Sequence, residues 1–100
     1  MLVHVFKTKV LPGADEGALK SAIRKLTAAS EAYEGLLKAE VLLDKSGENL
    51  VSLLHWESEE AALKNTPKLN DNPGLTELIQ LTDPSKLEAT MYEVVDTWEK

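Results

Sequence analysis

Between Leu36 and Trp56 the chain sets two apolar runs around a polar turn, Lys45-Ser46-Gly47-Glu48-Asn49. Two strand-like runs around a short turn read as a hairpin. The second run, Leu50-Val51-Ser52-Leu53-Leu54-His55-Trp56, constrains the fold most. Side chains alternate between the two faces of a strand. Leu50, Ser52, Leu54 and Trp56 therefore share one face, and Val51, Leu53 and His55 share the other. A strand apolar on both faces needs cover on both faces. This run predicts a central strand with a layer packed on each side of its sheet.

The remaining segments supply those layers. Leu2 to Val10, rich in Val, Phe and Thr, reads as a first strand, and Leu11-Pro12-Gly13 turns the chain. A helix follows from Ala14 or Asp15, with Asp15 placed to cap it and Glu16 at the positive end of its dipole. Leu19, Ala22, Ile23, Leu26, Ala29 and Tyr33 recur every three or four residues and make one apolar stripe. Gly35 is a terminator, and Leu36 to Asp44 reads as the second strand. Ser58-Glu59-Glu60-Ala61 is a capped helix start. Pro67 and Pro73 predict a broken helix, with pieces near residues 59–65 and 75–82. Asp83-Pro84-Ser85 closes it, and Ala89 to Trp98 reads as the last strand.

The order βαββαβ in a single α+β domain over residues 1–100 gives a four-stranded antiparallel sheet with both helices on one face. The other face stays apolar in the third strand. In the last strand, too, Met91 and Val95 oppose Tyr92, Val94 and Trp98. A second copy of the chain is the simplest cover, so a homodimer is expected.

Composition narrows the function. Seventeen acidic against eleven basic residues leave a net charge of −6, which disfavours nucleic acid and anionic membranes as partners. The absence of cysteine removes disulfides and thiolate chemistry. No apolar run approaches the roughly 20 residues that span a bilayer, and the N-terminus has no signal-peptide pattern. A cytoplasmic location is expected.

His4 and His55, the only histidines, both fall on strands expected to be central. Each is a candidate general base or ligand-orienting group, set against the plainer reading of a partly buried structural histidine. Two histidines without a carboxylate pattern do not make a metal site. Trp56 offers an aromatic face to a ligand or to the core. Tyr33, at the end of the first helix, offers a hydroxyl. Asn65, Asn70, Asp71 and Asn72 surround the broken helix and either line a cleft mouth or make turns.

Pro12-Gly13 after the first strand, Gly35-Leu36-Leu37 entering the second, and His55-Trp56-Glu57-Ser58-Glu59-Glu60-Ala61 after the third carry a family resemblance. Over roughly residues 1–66 the sequence resembles the dimeric α/β-barrel, ferredoxin-like superfamily, and within it the antibiotic-biosynthesis-monooxygenase-like group. The resemblance implies a homodimer with a ligand cleft between sheet and helices. It implies a cofactor-independent monooxygenase, or a related small-molecule enzyme, acting on a small aromatic or polyketide-like ligand. His55 and His4 are then the catalytic candidates, with Trp56, Tyr33, Phe6 and Asn65 against the substrate. The alternative is a non-catalytic, ligand-binding or stress-related barrel. The haem-degrading branch of the superfamily carries an Asn in strand one and a Trp and a His in helix two. Here the first position falls near Phe6, and residues 59–82 hold neither Trp nor His, so haem is not expected.

Overall fold

A computed structural model describes all residues, 1–100. Four strands are present: β1 (Leu2–Val10), β2 (Leu36–Leu43), β3 (Asn49–Trp56) and β4 (Thr82–Glu93). They form one antiparallel sheet in the order β2-β3-β1-β4. The expected α+β architecture is present, and β3 is central. The helices are α1 (Glu16–Ala28), followed by a 3-10 turn at Ala29–Ala32, then α2 (Glu59–Lys64), α3 (Thr66–Asn70) and α4 (Pro73–Gln80).

Local chemistry sets most boundaries. The Asp15 carboxylate accepts from the Ala18 N–H at 2.8 Å and caps α1. The Ser58 hydroxyl accepts from the Ala61 N–H at 3.1 Å and caps α2. Gly35 sits at φ +89°, where a Cβ would also meet the Ala61 Cβ at 2.6 Å. Only glycine suits that combination of left-handed backbone and close approach.

The broken helix differs from expectation: it has three pieces, not two. Pro67 and Pro73 each fall in the first turn of a new helix, where the missing N–H has no intrahelical partner to lose. Each proline thus starts a piece and does not merely end one. Gly74 then lets α4 press against α1, since a Cβ there would strike the Leu26 backbone nitrogen and lie 2.7 Å from the Ala22 carbonyl.

The last strand is displaced relative to its expected span. It begins at Thr82 and ends at Glu93, so Ala89–Trp98 is corrected at both ends. Its limits are those of its partner, because Thr82 pairs with Val10 and Glu93 pairs with Leu2. Beyond Glu93 β1 offers no strand to pair with, and Trp98 is 81 % exposed. Pro84 is tolerated because β4 is an edge strand and residues 84–87 bulge between the Lys9–Asp83 and Lys7–Glu88 pairs.

The helices cover one sheet face through two separate clusters. Leu19, Ala22, Leu50 and Leu78 form one, where α1 and α4 meet the sheet. Tyr33, Trp56, Ala61 and Ala62 form the other, under α2. The opposite face carries Val3, Val5, Val51 and Leu53 on the central strands, with Leu42 and Tyr92 on the edges. Leu42 and Tyr92 are exposed there, and no element of the same chain covers that face.

Candidate functional site

A cleft of about 390 Å³ lies between the sheet and the helices and draws its lining from both clusters. That volume falls in the range of small-molecule sites. His4, Phe6 and Thr8 of β1, with Ser52 and Leu54 of β3, form its floor. Leu26, Thr27, Ser30 and Tyr33 close one side; Leu69, Asn70, Leu75, Leu78 and Ile79 close the other. The β4 bulge adds Pro84 and Leu87 at the edge. The lining has no Asp, Glu, Lys or Arg. Its polar atoms are hydroxyls, the Asn70 amide and the His4 ring.

His4 is the one titratable base in this lining. Partial burial holds its pKa below the usual histidine value, because desolvation penalises the imidazolium. The ring rests against Phe6, with centroids 4.0 Å apart and planes tilted by 36°. No protein group hydrogen-bonds to either ring nitrogen. A neutral imidazole with unclaimed nitrogens therefore faces an uncharged, largely apolar space.

Tyr33 reaches the cleft from the end of the 3-10 turn, and its hydroxyl oxygen accepts from Asn72 Nδ2 at 2.7 Å. Among the other candidates, Phe6 lines the cleft while Trp56 and Asn65 do not. Trp56 is 0 % exposed and packs behind the lining in the Tyr33 cluster, with its indole N–H unpaired. Asn65, equally hidden, donates to the Glu34 and Ala61 carbonyls at 2.8 Å each. It ties the loop before β2 to α2.

His55 points the other way. The register pairs His55 with Val3 and sets His4 opposite Leu54, so the two rings lie on opposite faces of the sheet. The His55 Nε2 is buried without a hydrogen bond, 3.8 Å from a Glu40 carboxylate oxygen on the face away from the helices. Sequence reasoning also passed over Ser52, Thr66 and Thr82 in the lining. Ser52 had a signal, since it shares strand parity with Leu50 and Leu54. No three His, Asp or Glu side chains converge as metal ligands would, and no helix is long and apolar enough to cross a membrane.

An antiparallel sheet backed by helices, with a ligand-sized cleft between them, defines a ferredoxin-like α+β protein. Residues 1–66 match the family described as antibiotic biosynthesis monooxygenase, and the chain belongs to that family. Among solved structures it is similar to SnoaB, a cofactor-independent oxygenase from Streptomyces nogalater, at 16% identity and a TM-score of 0.77, covering 99% of this chain and 97% of that one. A Nitrosomonas europaea protein named for the same family is similar at 14% identity and a TM-score of 0.79, covering 96% and 100%. A conserved Methanosarcina mazei protein follows at 18% identity and a TM-score of 0.72, covering 92% and 91%. At these identities the likeness shows a shared fold. No curated protein sequence matches this chain.

Proposed function

We propose that the protein is a cofactor-independent monooxygenase acting on a small, uncharged aromatic substrate held in the cleft. The observation that carries the reading is His4: a neutral base, unclaimed by the protein, in a lining without formal charge. SnoaB, which shares the fold, is a cofactor-independent oxygenase. In the proposed reaction His4 removes a proton from an acidified ring CH₂ of the substrate. The carbanion passes an electron to O₂, the radical pair recombines to a peroxide anion, and the proton held on His4 returns to it to give the hydroperoxide. Loss of water then leaves a carbonyl, so CH₂ and O₂ become C=O and H₂O. Molecular oxygen is both the oxidant and the source of the new oxygen. Phe6 packs against the base, and Tyr33 meets the polar edge of the ligand.

The unit that works is proposed to be a homodimer joined through the open sheet face. Val3, Val5, Val51, Leu53, Leu42 and Tyr92 form a continuous apolar stripe there, of the kind an isologous interface covers. On this reading His55 and Trp56 are interface and core residues, and Asn65 is a structural cap. A chain without cysteine needs no oxidising compartment, which supports a cytoplasmic setting.

The test is oxygen uptake by the purified chain with a panel of aromatic quinols and ring ketones that carry an activated CH₂. Uptake that disappears in His4→Ala is expected. Full-rate uptake in His4→Ala removes the base assignment. Tight binding with no turnover by any panel member identifies instead a non-catalytic binding barrel.

A further inference from the structure

Asn72 caps α4 and touches Tyr33 at the same time, and its amide has no freedom in how it does so. Its Oδ1 accepts from the Gly74 N–H at 2.8 Å. A backbone N–H can only donate, so the oxygen of the amide must be at that end. The NH₂ end therefore faces Tyr33 and the Leu26 carbonyl, at 2.7 and 3.3 Å. Both partners accept from it. Asn72 is 2 % exposed, so water does not compete for these bonds.

This fixes the polarity of the tyrosine. Its oxygen is engaged as an acceptor, and no protein group accepts the hydroxyl's own proton. Tyr33 lines the cleft, and a buried phenol with an unspent O–H finds its partner there. We infer that Asn72 is a positioning residue that holds Tyr33 as a hydrogen-bond donor into the cleft, so that the site selects aromatic ligands carrying an acceptor oxygen at that edge. The inference rests on the cleft being the ligand site proposed above, and it adds which way round the polar contact runs. His4, the other titratable group of the lining, offers no such preference, since a neutral imidazole both donates and accepts.

The experiment is a binding titration of the full chain, by NMR, with three matched probes. Indane carries no polar group, 1-indanone only an acceptor, and 5-indanol both a donor and an acceptor. In the unaltered protein 1-indanone is expected to bind about five- to tenfold more tightly than indane. Tyr33→Phe should erase that gap. Asn72→Asp keeps an oxygen for the Gly74 N–H and so keeps the cap. Its carboxylate accepts a hydrogen bond from the tyrosine O–H, so 1-indanone should weaken about five- to tenfold while 5-indanol holds or tightens. A purely structural Asn72 would move all three probes together, and that result overturns the inference. Should Asn72→Asp not fold, Asn72→Ser decides, because serine caps the helix but is too short to hold Tyr33; an unchanged preference for 1-indanone overturns the positioning role. An unchanged preference in Tyr33→Phe overturns the donor itself. Failure of all three probes to bind the unaltered protein overturns the cleft reading, and this inference with it.

Discussion

The two histidines sit one register step apart on neighbouring strands, and they live in different surroundings. His4 faces the helices, lies in the cleft beside Phe6, and has its pKa lowered by burial. His55 faces away from the helices, beside Glu40, with its Nε2 buried in the sheet surface. The difference follows from strand parity alone. With Val3 opposite His55, His4 is carried to the other side. One face of the sheet bounds the cleft, and the other is left uncovered by its own chain.

Trp56→Ala tests the helix face most severely. It removes a fully buried ring from the Tyr33 cluster and should cost about 3–5 kcal/mol, read by chemical denaturation. A loss below about 1 kcal/mol would mean that the second cluster is not a core. Next comes the direct contrast. His4→Ala should lower kcat/KM for oxygen uptake by about 10²–10⁴-fold, while His55→Ala should leave it within about threefold. Equal losses, with the assembly intact, would break the division of labour between the faces. Leu53→Glu sharpens the other side of the comparison. It places an unpaired charge on the open face and should weaken self-association at least tenfold, measured by light scattering against concentration. An unaltered dimer would move the interface elsewhere.

The smallest expected effect is in pH. His4 must be neutral to act as a base, and burial lowers its folded pKa below the ordinary value of 6.5. The acid limb of kcat/KM should therefore fall below pH 6.5 and should be missing from any residual activity of His4→Ala. Stability follows the same sign. The unfolded chain binds this proton more readily, so the His4 contribution is fully present above about pH 6.5. It is lost as pH falls from there through the lower folded value. An acid limb above pH 6.5 would contradict the burial of the ring.

Much of this was legible in the residues. The alternation in Leu50–Trp56 sorted β3 into its two faces, and the apolar stripe of α1 led to Tyr33 at the cleft. The register of β1 on β3 was not legible, because a one-residue slip leaves both strands plausible and exchanges the faces of His4 and Val3. The limits of β4 were hidden for a related reason: they are set by where β1 begins and ends, not by residues 82–93. Asn72 was hidden by its neighbour. An Asn before a Pro reads as a turn, and the tyrosine that its amide touches is 39 positions away in sequence.

The helix after β3 is divided into short pieces, and α2 and α4 each start on their own side-chain cap. Leu69, Asn70, Leu75 and Ile79, which face the cleft, lie on α3 and α4, beyond the residues that match the family. The wall of the cleft is thus built like a set of separate panels on a fixed frame. Selection for a new ligand shape has somewhere to act that leaves the strand parity, and hence His4, where it is.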